Sequence, residues 1–592
     1  MDDRSAAISY LADGFALLRK HGLYGNSDEP HRFAIDRTLT NLKVRQGDGS
    51  SVLPSQRQKA LIRQKNRPPV LPNRPPVLPN RPPALHCIDG AVEAAAALQA
   101  LYEAKRLVTA RSSIEGRRII LGDWFMSLAV GLALPLRNAR LTGLMSEELC
   151  RIGTDANHIS RYVSRQDYCE TIDRFTEALI DNEYGSVRQG DGSSVLSAPF
   201  GAGLIRQKNR PPVGLIRQKN RPPVLRSLFI PDNKLLKAIG SGYHKTALVQ
   251  TRNALSHMEA WFTDRYASET AGETDGWIYG AIMSGGKRMR PILVCLCAGL
   301  GAEEAAADHD FDESILIDIM STIELMHSAS LVHDDIVDRS PMRRSRATIN
   351  AEKGDGYAAM CGFIMIADSL RLISSSPSDI LVKKLSSIPA QMCNGELHQL
   401  DVENKPEFQS EDEYFDRISC KTAALIEGSC ISGAIAGGAA EHTVQVLSDF
   451  GRALGLLFQL RDDLIDYGMP DSSGKPVSQD MERGVYSLPL LYAREVLSNS
   501  DQEEYKKLDT VLRKHIKEPS DFRYLNMIAE NTGGISYTLE KIEKQAKSAL
   551  SSLMLLPQNT WTEALSLIVI TLAENYTRET FFTNSNVRLS NE

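Results

Sequence analysis

Residues 323–344 read IELMHSASLVHDDIVDRSPMRR. On a helix, Asp334 and Asp338 stand four apart and project from one face, with Asp335 about 100° round the axis. Three carboxylates held so close repel one another unless something cationic sits among them. Hard oxygen donors in small number suit Mg²⁺, which keeps several waters and binds through carboxylates plus phosphate oxygens. Arg343 and Arg344 follow, forked donors suited to phosphate. Taken alone, such a run reads as readily as a solvated acidic turn. Yet the same spacing returns in FQLRDDLID at 458–466, with Asp462, Asp463 and Asp466. Two helices presenting such triads can face each other across a cavity and clamp a diphosphate. Upstream, GGKRMRP at 285–291 packs three cations into a turn that ends at a helix-starting Pro. Its glycines let backbone N–H groups approach an anion, while Lys287 and Arg290 supply charge.

The surrounding chain is an ordinary globular one. It has 592 residues, 42% hydrophobic and 24% charged, with Lys+Arg 68 against Asp+Glu 74 for a net charge of −6. That balance excludes wholesale disorder, a collagen-like chain and a general nucleic-acid coat. The apolar stretch Met126–Leu136 is too short to span a bilayer. The first residues, MDDRSAA, lack the basic start of a secretory leader. Nine cysteines are scattered without CxxC spacing, which points to a reducing compartment, so a cytoplasmic protein is expected.

Amphipathic runs broken by Gly and Pro continue from about 240 to 592 without a strand-like alternation, and the chain reads as all-α. Residues 1–43 read as an N-terminal helical segment, in which Ile8, Leu11, Phe15 and Leu18 recur at helical spacing. VRQGDGSSVL stands at 44–53 and again at 187–196, and LIRQKNRPPV occurs at 61–70, 204–213 and 215–224. Arg, Pro-Pro pairs and almost no aromatics cannot build a core, so 44–85 and 185–228 read as extended, disordered inserts. Residues 86–184 are again helical in character, and 236–592 form the unit that carries the motifs.

That unit resembles a trans-polyprenyl diphosphate synthase, most closely the long-chain bacterial type and the catalytic subunit of heptaprenyl diphosphate synthases. Besides both Asp motifs and GGKRMRP, the resemblance rests on NGELHQL at 394–400, SCKTAALIEGSC around Lys421, and GKPVSQDMERGVYSLPLLYA at 474–493. It implies the isoprenoid synthase fold: antiparallel helices around a deep central pocket, as a homodimer or heteromer. It implies about three Mg²⁺ ions at the pocket mouth, with Asp334, Asp335, Asp338 and Asp462 as ligands and Asp463 and Asp466 beside them. Arg343, Lys421 and Lys475 would hold an allylic diphosphate, and Lys287, Arg290, His327 and Arg344 isopentenyl diphosphate. Thr422 and Gln459 would offer oxygens to an allylic cation.

The expected reaction is ionisation, condensation and elimination, starting from farnesyl or geranylgeranyl diphosphate. One turn up the helix from the first motif lie Ala329 and Ser330, and two turns up lie Met326 and His327. Without a Phe or Tyr floor, a product of about thirty to fifty carbons, a quinone side-chain precursor, is expected. Transient membrane contact would accompany release of such a product; no nucleic acid is implied.

Three departures from the family pattern stand out. RRSRATIN follows the first motif in place of RRG-x-P-T, Gly362-Phe363 stands where Gly-Asp normally begins the next helix, and Val485 replaces a frequent Lys. They leave open a catalytically weak or silent subunit of a heteromeric synthase, and a shorter geranylgeranyl diphosphate synthase. Residues 86–184 carry a faint echo of the same fold in Leu121-Gly122-Asp123-Trp124-Phe125, without the Asp motifs. They read either as a degenerate regulatory-subunit-like region or as a plain helical extension.

Overall fold

The computed structural model describes residues 96–97, 100–101, 104, 116–133, 234–240, 245–269, 271–305, 312–344, 346–374, 376, 378–468, 478–574 and 576. The segment 1–43, both Arg/Pro-rich repeats, most of 86–184 and Lys475 lie outside the described residues.

The central element is the helix Glu313–Val337, which ends in the first Asp motif. Asp312 caps its start by accepting the Ser314 N–H at 2.8 Å. Its apolar residues occur on every side, with Leu316, Ile319, Met320, Ile323, Leu325, Met326, Ala329, Val332 and Ile336 all buried. A helix apolar all round must sit inside a bundle or in lipid. This one and Asp355–Ser374 are long and apolar enough to cross a bilayer, yet most of each is buried against its neighbours, and they pack on one another.

The second motif ends the helix Glu441–Asp466. It lies between Ala424–Ala436 and Gly534–Leu553, and Ala424–Ala436 in turn packs on Met289–Ala305. That last contact is backbone-close: a Cβ on Gly433 would collide with the Val294 carbonyl oxygen. The helices Leu488–Ser500 and Thr560–Ala573 pack around Gly534–Leu553 and close that side of the bundle.

Two local devices shape the mouth. Between Glu411–Ile418 and Ala424–Ala436 the helix widens into a single π turn, Ser419–Ala423, that contains Lys421 and Thr422. One extra residue in a turn pushes side chains out of helical register, and such turns collect at functional sites. The expectation of an all-α chain holds, with one small exception among the described residues. A two-residue hairpin pairs Met342 with Ala347 and Arg343 with Arg346 immediately after the first motif.

Candidate functional site

Each Asp of the first motif meets a different environment. Asp335 is buried and accepts from Arg343 Nε at 2.7 Å. Asp338 caps the helix with its backbone N–H and pairs with Arg483 Nη2 at 2.7 Å. Asp334 feels Lys421, Arg343 and Arg483 as attractions and Glu396 as a repulsion. Burial dominates all three and raises their carboxyls above the usual range, Asp335 to about 6 and Asp338 to about 7.

The second motif is held from behind. Asp463 accepts from the Tyr414 hydroxyl at 2.6 Å and from Gln459 Nε2 at 2.7 Å. Asp466 accepts the backbone N–H of Gln479 at 2.8 Å and of Asp480 at 3.2 Å. Burial, then repulsion from Asp480, pushes both carboxyls up to about 7. The two motifs are bridged: the short helix Gln479–Arg483 starts on Asp466, and its last residue, Arg483, reaches Asp338.

Thr422 donates to Gln459 Oε1 at 2.6 Å, so Thr422, Gln459 and Asp463 form one hydrogen-bonded chain. Lys421 pairs with Glu396 and donates to Gln399 Oε1 at 3.3 Å. Burial disfavours its charge, but Glu396 and Asp334 outweigh that and keep the ammonium protonated.

On the other side stands a cluster of cations. Gly286, at φ +135, leaves the space where Arg344 lies across the turn; a Cβ there would stand 3.1 Å from its guanidinium. Arg344 donates to the Gly285 carbonyl. Burial lowers the pKa of Arg290 to about 10, with Glu324 and Asp462 as attractions and Arg344 as a repulsion. The Arg290 Nε has no hydrogen-bond partner among the described residues. His327 sits among Arg290, Arg344, Arg343 and Arg288; burial and those like charges hold it well below its ordinary pKa, so the ring is neutral. Lys287 is exposed at the same turn. Such guanidiniums beside two carboxylate motifs have the chemistry to receive an anion next to a cation.

Of the residues selected from sequence, Thr422, Gln459 and Asp463 form one chain, Asp335 meets Arg343, and Arg290, Arg343 and Arg344 surround His327, while Lys475 lies outside the described residues. Arg288, drawn from the same GGKRMRP run, behaves differently. Its backbone turns to φ +48, and the side chain is buried in ion pairs with Glu324 and Glu259. Sequence reading missed Arg483, Glu396, Tyr414 and Asp480. Glu396 lay within the quoted NGELHQL and Arg483 within QDMERG, two residues from the Val485 noted as a lost cation.

Among the described residues, no three Asp, Glu, His or Cys side chains converge to enclose an ion alone. Mg²⁺ takes few protein carboxylates and completes its shell with water and phosphate oxygens. Buried carboxyls pushed toward neutrality by burial and like charge are what such a cation would relieve, so the donor set fits it.

Residues 277–528 match the family profile of polyprenyl synthetases. The chain is 31% identical over 297 residues to octaprenyl diphosphate synthase of Haemophilus influenzae, covering 50% of this chain and 86% of that protein. The chain belongs to the polyprenyl synthetase family. As a polyprenyl synthetase it is a prenyl transferase that makes polyprenyl diphosphates. Its fold overlays a decaprenyl diphosphate synthase from Rhodobacter capsulatus with a TM-score of 0.51 and 28% identity, over 57% of this chain and all of that one. A polyprenyl synthase from Caulobacter crescentus, complexed with calcium and isoprenyl diphosphate, overlays with a TM-score of 0.50 and 27% identity, over 56% of this chain and 98% of that one.

Proposed function

We propose that this polyprenyl synthetase adds isopentenyl units to farnesyl or geranylgeranyl diphosphate and releases an all-trans product of about thirty to fifty carbons. The observation that carries the reading is the bridge between the two Asp motifs through Arg483, with the His327–arginine cluster beside it. Asp334, Asp335, Asp338, Asp462, Asp463 and Asp466 would hold Mg²⁺. When bound there, Mg²⁺ supplies Lewis-acid stabilisation of the departing diphosphate.

The chain's own residues do the rest. Lys421, Arg343 and Lys475 hold the allylic diphosphate and receive the charge that grows as its C1–O bond breaks. Thr422 donates its hydroxyl hydrogen bond to Gln459 Oε1, which leaves the Thr422 oxygen lone pairs to stabilise the resulting allylic cation. Arg290, Arg344, Lys287 and neutral His327 hold isopentenyl diphosphate, whose double bond attacks that cation. A proton is then lost from C2 of the new unit to the released pyrophosphate. Elongation continues because Ala329 and Ser330, then Met326 and His327, put no Phe or Tyr floor across the first two turns behind Asp334.

The test is incubation of the full chain with Mg²⁺, labelled isopentenyl diphosphate and either starter, with dephosphorylated products sized and Asp334→Ala alongside. A ladder ending at one long prenyl alcohol, absent in the variant, is expected. No incorporation from either starter overturns the reading in favour of a silent subunit.

A further inference from the structure

We propose that the helix Gly116–Ala133, far upstream of the family-matched residues, is a built-in wall of the catalytic bundle, and that Asp123 on it positions His333 beside Asp334. This rests on the reading of the Asp motifs given above.

The helix is a core element by its own composition. Ile119, Leu121, Phe125, Met126 and Ala129 are fully buried, and Trp124 nearly so. It packs along Asp379–Val402 and also touches Glu313–Val337 and Asp355–Ser374, the elements that build the mouth. At its start a Cβ on Gly116 would stand 3.0 Å from Val337 Cγ2 and 3.4 Å from Val337 Cα, inside the first Asp motif. Arg117 Nη2 donates to the Leu400 carbonyl at 3.1 Å. A surface extension has no reason to bury a carboxylate, yet Asp123 is buried with Oδ2 2.5 Å from His333 Nδ1.

His333 is boxed in on each side. Its Nε2 lies 3.0 Å from the Ala359 carbonyl oxygen, and its ring packs on Phe363 at 5.3 Å between centroids. Gly362 makes room for it, since a Cβ there would strike the imidazole. Phe363 offers no acceptor at the place where an acid is expected. The carboxylate comes instead from Gly122-Asp123, 210 residues before His333. Because His333 directly precedes Asp334, fixing its ring fixes the last turn of the motif helix. Asp123 is therefore a positioning residue; groups that orient a metal ligand directly are worth about tenfold or more, and one step further out about tenfold is the largest loss expected.

The experiment uses the full chain in two parts. Gly116→Cys with Val337→Cys, oxidised and digested, reports proximity by mass spectrometry; the separation above suits a disulfide. Asp123→Leu and Asp123→Asn are then compared by hydrogen exchange across 331–338 and by steady-state kinetics. Asn keeps an acceptor for His333, and no donor faces Asp123 Oδ1 among the described residues, so its amide has room there. The 116–337 link is expected. Leu should speed exchange about tenfold and lower kcat about tenfold with KM for isopentenyl diphosphate unchanged, and Asn should restore both. Absence of the link, or a Leu variant indistinguishable from the parent, overturns the proposal. Parent protein without prenyl transfer would refute the functional reading alone, because the link and the exchange rates need no turnover.

Discussion

Asp463→Asn should make the metal-free protein more stable at pH 8 while removing its activity. Asp463 is 4% exposed, and burial with Asp480 repulsion raises its carboxyl from 3.8 to about 7. The folded state thus binds the proton more tightly than the unfolded chain. By linkage, this group's contribution is most favourable below about pH 4 and is lost as pH rises toward 7. Three pKa units amount to about 4 kcal/mol at pH 8 as an upper bound. Asn accepts from Tyr414 or Gln459 but not from both in the present arrangement, and losing one such bond returns about 1.5–3 kcal/mol. The net gain expected at pH 8 is therefore about 2 kcal/mol, shrinking or reversing at pH 5, where the parent carboxyl is protonated. Urea unfolding in EDTA at both pH values measures it. An Asn variant equally or less stable at pH 8, or a parent whose stability does not fall from pH 5 to 8, refutes the reasoning. Buried like charge would then not be what the site holds in reserve for a cation.

Three further outcomes follow from the geometry. Gly433→Ala drives a methyl into the Val294 carbonyl and should cost about 2 kcal/mol, whereas Gly276→Ala, with open space around its Cβ, should gain about 0.5–1 kcal/mol by thermal unfolding. Arg483→Met removes the cation that joins Asp338 to the segment bound by Asp466, and should lower kcat/KM about tenfold, about 1.4 kcal/mol of transition-state stabilisation. Ser330→Phe places a ring one turn behind Asp334 and should shorten the longest prenyl alcohol without abolishing the first condensation; an unchanged ladder would show that the product runs elsewhere.

Much of this site was legible because its logic is local. Carboxylates at four-residue spacing declare a shared helix face, and both Asp motifs do sit at helix ends with their carboxyls under strain from burial. Thr422 and Gln459 were each singled out through their motifs, but the hydrogen bond that joins them across two elements was not foreseen. Local pattern is misleading where a backbone angle decides. Lys287, Arg288 and Arg290 look alike on the page, yet φ +48 at Arg288 sends that one cation into the core toward Glu324. The π turn at 419–423 is a change of hydrogen-bond register that no residue type announces, though it sets where Lys421 and Thr422 emerge.

Pairs made by topology were the hardest to read. Arg483 and Asp338, Lys421 and Glu396, and His333 and Asp123 each join distant elements, and no period along the chain relates the partners. Nor are these ornaments on a finished site. Asp334, Asp335 and Asp338 crowd three carboxyls at one helix end, where burial disfavours their charge and Arg343, Arg483 and Lys421, all from outside that helix, favour it. A like-charged cluster is tolerable only where cations are positioned by the rest of the bundle. A motif of this kind therefore argues for its own distant partners, and the search for them belongs on the elements that pack against the motif helix, however far along the chain they begin.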